Sequence, residues 1–240
     1  GQNVNHYRDP ESGTDFATLL GRAAAVPGPE WIRFLTSHPK SFPPALARTM
    51  AATPKICRQL HLPLQSGSAS VLERMKRGYT RKDYLETAAA LRALMPSIRL
   101  SADIIVGYPG ETEAEFKETL SALAEIRFAG IFSFCYSPRP RTAAARLTDD
   151  VPAEIKKRRL MEVQALQKDI QLAFHKTLIG GRERVLCTGR SKKDPAVFAG
   201  RNEGNQVVNF RSNADVVGRF VEVEITDAGP YTLRGIAVAG

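Results

Sequence analysis

Along the first part of the chain, short apolar runs alternate with stretches whose apolar residues recur at helical spacing. The runs Trp31–Leu35, Gln59–Leu64, Arg99–Val106 and Ile131–Tyr136 are rich in Ile, Leu, Val and Phe, and predict strands buried on both faces. Between and before them, helices are predicted over Phe16–Ala25, Pro44–Ala52, Ser70–Lys76, Arg81–Leu94 and Glu113–Phe128. Thr80 stands three positions before Asp83, and Thr112 three before Glu115, the spacing of a capping box at a helix N-terminus. Within the last of these helices Phe116, Leu120, Leu123 and Ala124 are expected to form one apolar face. Repeated strand–helix units imply a parallel sheet with right-handed crossovers. About four units are too few to close an eight-fold barrel, so an open sheet and part of a barrel both satisfy the pattern.

The pattern changes near Val151. Pro152–Leu178 has the periodicity of one long helix, carries the basic run Lys156, Lys157, Arg158 and Arg159, and is followed by Gly180 and Gly181 as terminators. Beyond it lie short β-type runs, Glu183–Cys187, Gln206–Phe210, Phe220–Ile225 and Thr232–Val238, separated by turn residues. They predict a small all-β barrel. The expected organisation is 1–150, a connecting helix over 151–179, and 180–240.

Composition narrows the class. The 240 residues are 43% hydrophobic and 25% charged, as in a globular protein, and no apolar run approaches the length of a membrane span. No basic-then-apolar leader precedes the first predicted element, and the chain starts at Gly1 and not at Met. A formal charge of +9 favours an anionic partner such as nucleic acid or an acidic membrane surface. Cys57, Cys135 and Cys187 are far apart, which argues against a disulfide framework and for a reducing, cytoplasmic setting. They also lack the close spacing of iron–sulfur ligands, so each is expected to be a small buried residue and no metal ligand is assigned.

Three predicted strand ends carry ligand-type chemistry. In Asp103–Thr112 an apolar strand ends in Gly107 and Gly110 before a helix opens, which lets a ligand approach the backbone. In His61–Ser68 the end is polar and small, with Gln65 able to donate and accept and, further on, Arg77 suited to a carboxylate. In Tyr136–Thr142 two prolines stiffen a loop bearing Arg139 and Arg141. Each alone is equally a plain turn. Together they fall at the C-terminal ends of parallel strands, where such folds bind ligands.

The segments Gly1–Asn5, Thr36–Lys40, His61–Ser68, Arg74–Arg81, Asp103–Thr112 and Tyr136–Ala144 resemble, in order and spacing, the radical-SAM methylthiotransferase family. Ser191–Pro195 and Gly200–Phe210 resemble the TRAM domain of that family. The resemblance implies a partial radical-SAM (TIM-like) parallel β/α barrel followed by a small all-β OB-like TRAM domain. It implies S-adenosylmethionine as cofactor and, in the full-length protein, two 4Fe-4S clusters, neither of them ligated by this chain. The implied activity is methylthiolation of tRNA at C2 of N6-dimethylallyladenosine, next to the anticodon. By the same resemblance Gln2 and Asn3 lie near the methionyl group, and Gln65 with Ser66 belongs to the cofactor strand end. Asp103 pairs with Gln65 on the ribose hydroxyls, and Arg77 meets the carboxylate. Val106, Gly107 and Tyr136 lie along the adenine. Lys192, Lys193, Arg201 and Arg211 supply phosphate-type charge, while Asn202, Asn205 and Gln206 offer amides to base edges.

The expected partners are the anticodon stem-loop of tRNA and the missing N-terminal part of the same protein, with no membrane. The chain departs from the family pattern at Arg141, where glycine is usual, and at Ala143, where proline is usual. It also lacks the family's CxxxCxxC and N-terminal cysteine trio, so it is expected to be an N-terminally truncated fragment, inactive alone. Two other readings are a non-catalytic RNA-binding protein with a vestigial barrel, and a sister enzyme acting on threonylcarbamoyladenosine. The Ser191–Pro195 and Gly200–Phe210 stretches favour the dimethylallyladenosine branch.

Overall fold

A computed structural model describes residues 3–35, 37–40, 42–140, 143–192 and 194–238. It divides into two compact units, Gly1–Gln167 and Lys168–Gly240. In the first, helices α1 (Phe16–Ala25) and α2 (Pro44–Ala52) precede strand β1 (Gln59–His61), helices α3 (Ala69–Arg74) and α4 (Arg81–Leu94), strand β2 (Arg99–Val106), helix α5 (Glu113–Ile126) and strand β3 (Gly130–Cys135). The strands form a parallel sheet in the order β1-β2-β3. Helix α6 (Ala153–Lys176) contributes its first part to this unit and its last part to the second.

The helix starts follow from side chains that satisfy free backbone N–H groups. Asp15 accepts from Thr18 N at α1, and capping boxes at Thr80/Asp83 and Thr112/Glu115 open α4 and α5. The apolar stripe of α5 is rotated from the expected one. Phe116, Thr119, Ala122, Leu123 and Ile126 are buried, whereas Leu120 is half-buried and Ala124 exposed. A threonine takes a buried position because its hydroxyl accepts from Gly67 N at 3.0 Å and pairs with Ser66 Oγ at 3.2 Å.

Strand β2 alternates strictly between half-buried and buried positions, so the expectation of strands covered on both faces does not hold. Leu100, Ala102, Ile104 and Val106 enter the core, and Ser101, Asp103 and Ile105 stand on the other face. Trp31–Leu35 is not a strand. Ile32 makes one isolated bridge to Ile56, and its neighbours pack locally, Arg33 over the Trp31 ring and Phe34 edge-on to Phe16. β1 is shorter than expected because Pro63 has no N–H to give the ladder. Its path continues beside β2, and Gln65 rejoins it through a bridge to Ile104. Cys57 is buried, but Cys135 is only half-buried.

The second unit is a closed barrel of β4 (Arg182–Arg190), β5 (Phe198–Asn202), β6 (Val207–Arg211), β7 (Phe220–Ala228) and β8 (Thr232–Ala237), in the order β4-β5-β6-β8-β7. All neighbours are antiparallel except β6 and β8. Val185, Phe198, Val208, Phe210, Val223 and Leu233 fill its core. The pattern of apolar runs missed β5, whose sequence Phe-Ala-Gly-Arg-Asn holds a single strong strand former. Gly180, with φ of 85°, lies just beyond the end of α6.

One charged cluster ties α3 to the start of α5. Glu115 accepts from both terminal nitrogens of Arg74, at 2.9 and 3.0 Å, from Ser70 Oγ at 2.5 Å and from Thr112 N at 2.8 Å. The Arg74 guanidinium above all holds this carboxyl at about 2, below its ordinary 4.5. Because the folded value lies below the unfolded one, the stabilisation is full above about pH 4.5 and is lost as the pH falls towards 2. Glu115→Gln is expected to cost about 1–3 kcal/mol near neutral pH and to flatten the acid limb of stability against pH. Urea unfolding across that range checks it, and an unchanged acid slope would refute the network.

Candidate cofactor cavity and RNA-facing surface

The three motif-bearing segments meet at the C-terminal end of the sheet. Gln65 holds a left-handed backbone, with φ of 70°, between two hydrogen bonds to β2: its N–H donates to Asp103 O and its carbonyl accepts from Ile105 N, both at 2.8 Å. A non-glycine residue in this conformation needs such support from its surroundings. Tyr79 adds to it, its hydroxyl lying 3.0 Å from both Pro63 O and Leu64 O. Next in line, Gly67 lies so close to α5 that a Cβ would stand 2.6 Å from Glu118 O.

Here the surface opens into a cavity of about 580 Å³ whose lining includes Gln65, Arg77, Ile105, Tyr108, Phe134 and Tyr136. The Tyr108 and Tyr136 rings meet edge to face at 5.2 Å, and the Tyr136 hydroxyl donates to Ala144 O. Arg77 Nε is buried with no hydrogen-bond partner among the described residues, and its guanidinium stands 6.0 Å from the Tyr79 ring centre.

The Gly107–Glu111 turn beside the cavity is secured by acidic groups and by α6. Glu111 is buried; it accepts from Gly107 N at 2.6 Å and from Arg159 Nη1 at 2.9 Å. Burial nonetheless pushes its pKa upward. Gly110 N donates to Asp150. Lys156 is buried, donates to Asp149 Oδ2 at 2.7 Å and stands 5.3 Å from the Tyr136 ring centre. Half of the basic run of α6 therefore points inward.

Of the sequence-predicted cofactor residues, Gln65, Arg77 and Tyr136 are brought together. Asp103 stands on the open sheet face, outside the cavity lining, with its Oδ2 3.5 Å from His61 Nε2. Asn3 is exposed before a 3-10 turn over Val4–His6, and Gln2 lies outside the described residues. The two N-terminal motifs are joined by Asn5, whose buried amide donates to His38 O and accepts from His38 N. Three expectations need correction. The Ser66 side chain is fully buried and lies 3.2 Å from Thr119 Oγ1 and Ser68 N. Val106 turns its side chain into the core, opposite Asp103. Gly107 is approached by Lys156: a Cβ there would lie 2.3 Å from Lys156 Cγ, and its φ is +72°. Ile105, Tyr108 and Phe134 were missed, although Ile105 is two residues from Asp103 and so shares its face.

In the second unit Lys192, Arg201 and Arg211 are exposed, while Lys193 lies outside the described residues. Asn205 is half-buried in the turn between β5 and β6, with φ of 65°. Asn202 is not a base reader. It is buried, donates to Glu183 Oε2 and Gln206 Oε1, and accepts from Gln206 N, so its amide and that of Gln206 brace the turn.

The sequence matches the Radical SAM superfamily over residues 6–123 and the TRAM domain over residues 176–238. The chain is thus a radical-SAM protein whose sequence continues into a TRAM domain. Relatives named tRNA-2-methylthio-N(6)-dimethylallyladenosine synthase, from Geobacter metallireducens and Acidovorax sp. (strain JS42), are 49% and 46% identical to it. Those alignments cover 98% and 100% of this chain, and 53% and 54% of the relatives. The chain belongs to the radical-SAM methylthiotransferase family and spans about half the length of the curated relatives it matches. Among solved structures, coproporphyrinogen III oxidase from Escherichia coli is 15% identical with a TM-score of 0.48, over 70% of this chain and 45% of that one.

Gly107→Ala is expected to destabilise the first unit by about 1–3 kcal/mol, through both the left-handed φ and the contact with Lys156. Adding Lys156→Ala removes the contact but not the φ strain. A double-mutant cycle on thermal unfolding checks this, and strictly additive costs would show that the two residues do not meet.

Proposed function

We propose that this chain is the S-adenosylmethionine-holding and RNA-binding part of a tRNA methylthiotransferase that modifies C2 of N6-dimethylallyladenosine next to the anticodon. The observation that carries this reading is the cavity at the ends of the parallel strands, where Gln65, Arg77 and Tyr136 converge. The relatives' names support the substrate. The cavity's chemistry suits S-adenosylmethionine. Arg77, with its unpartnered Nε, is matched to the amino-acid carboxylate. Gln65 offers a donor and an acceptor to the ribose, and Tyr108 and Tyr136 offer apolar surface to the adenosyl group. Asp103, on the face beside it, is assigned to the ribose hydroxyls.

Bound there, S-adenosylmethionine would supply radical hydrogen abstraction and a methyl group. No group of three or more His, Cys, Asp or Glu arranged for a metal ion occurs among the described residues. Two 4Fe-4S clusters belong to the proposal for the longer polypeptide, and no residue of this chain is assigned to either. Lys192, Lys193, Arg201 and Arg211 are assigned to tRNA phosphates, and Asn205 to base edges. The anticodon stem-loop is the proposed target, the remaining part of the longer polypeptide the proposed partner, and the cytoplasm the proposed compartment. No helix is long and apolar enough to cross a membrane among the described residues.

The experiment on activity is mass spectrometry of tRNA from a strain lacking the gene, complemented with the whole coding sequence. The methylthio group should return with the parent gene, and fall with Arg77→Ala or Asp103→Ala in step with a roughly tenfold or greater loss of S-adenosylmethionine affinity. Unchanged methylthio content between deletion and complemented strains would refute the activity. Separately, Lys192→Ala with Lys193→Ala should weaken tRNA binding and lower the slope of log affinity against log salt by about one for each phosphate contact removed. An unaltered slope would remove both lysines from the phosphate path.

A further inference from the structure

We propose that the open face of β3 is the specificity surface for the N6 substituent of the target adenosine, with Phe132 and Phe134 as its apolar floor. This rests on the reading of the substrate as an N6-dimethylallyladenosine. The parallel register sets Phe132 beside Asp103 and Phe134 beside Ile105, so the four side chains stand on one face in two adjacent rows. The opposite face of β2 is closed by the core.

Phe132 and Phe134 are 61% and 52% exposed. Strands of parallel sheets are ordinarily covered on both faces, and two neighbouring phenyl rings left in water mark a surface made to be covered. Phe132 is also braced. His61 meets Phe132 edge to face at 5.9 Å, and its Nδ1 lies 3.1 Å from Ser101 Oγ. Phe134 lines the cofactor cavity together with Ile105, so the patch is continuous with the proposed reaction site.

The chemistry of the patch selects its occupant. A branched alkenyl group loses water against Phe132, Phe134 and Ile105 and asks for no hydrogen bond. A threonylcarbamoyl group brings a carboxylate onto the same phenyl surface and towards Asp103, whose like charge repels it. The face thus rewards one modification and rejects the other, which separates the two branches of tRNA substrate.

The test is titration of the chain with three nucleosides, followed by NMR. N6-dimethylallyladenosine is expected to bind roughly tenfold more tightly than adenosine, and N6-threonylcarbamoyladenosine more weakly than either. Phe134→Ala and Phe132→Ala should each remove most of that preference while leaving the circular dichroism spectrum unchanged, because both rings are largely exposed. Equal affinities, or a preference that survives both substitutions, would overturn the proposal and leave the rings as a packing face for other parts of the longer polypeptide. Binding of tRNA to the same preparation is measured in parallel. Retained tRNA binding without nucleoside preference sinks this inference alone, and absent tRNA binding sinks the RNA reading beneath it as well.

Discussion

The first unit depends on the strict alternation of β2. Each side chain of Arg99–Val106 goes to one face or the other, and a slip of one residue would exchange Asp103 and Ile105 for Ala102 and Ile104. The core pins the register, because Leu100, Ala102, Ile104 and Val106 have nowhere else to go. Both neighbours inherit it: β1 through His61 beside Ser101, and β3 through Phe132 beside Asp103. Even the irregular path after β1 is measured against β2, since Gln65 closes its two backbone hydrogen bonds on Asp103 and Ile105. The cavity lies where those bonds end the pairing.

Much of this was legible in the sequence because local and tertiary preferences agree. Helices α1, α2 and α4 and strand β2 have the expected bounds; α4 is fixed at its start by a capping box and α1 by Asp15. What the pattern hid has particular causes. Trp31–Leu35 has strand composition but makes only an isolated bridge at Ile32 among the described residues, and composition carries no information about partners. Strand β5 has little strand composition, yet its Phe198 and Gly200 point into the barrel, where a Cβ on Gly200 would meet Leu186 O at 2.3 Å. The face of α5 was rotated by Thr119, a polar residue buried for its hydrogen bonds to the Ser66–Gly67 turn.

The site was legible only by neighbourhood. Gln65, Arg77 and Tyr136 are far apart in sequence, and the rule that parallel strands bind ligands at their C-terminal ends was enough to group them. That rule does not say which way a side chain points. Ser66 and Val106 belong to the right segments and turn away from the cavity, while Tyr108 and Phe134 turn towards it. Asn202 shows the same limit: an amide in a basic turn has the composition of an RNA reader, and burial between Glu183 and Gln206 gives it to the fold instead.

The buried cations of α6 make the same point about motifs that carry both structure and function. Lys156 and Arg159 belong to a run whose composition suggests a solvated basic face, yet both are buried beside the Gly107–Glu111 turn. Taking two cations out of water is unfavourable unless each meets an anion in good geometry, which Asp149 and Glu111 provide. Gly107 is then required because the Lys156 stem occupies the place of its Cβ. Lys156 also stands over the Tyr136 ring, so the same cation that closes the turn stands against a wall of the cavity. A glycine-bearing turn in a ligand-binding fold can therefore owe its glycine to the helix that braces it. Charge pairs thus stand behind the cavity wall, and uncharged rings face its interior.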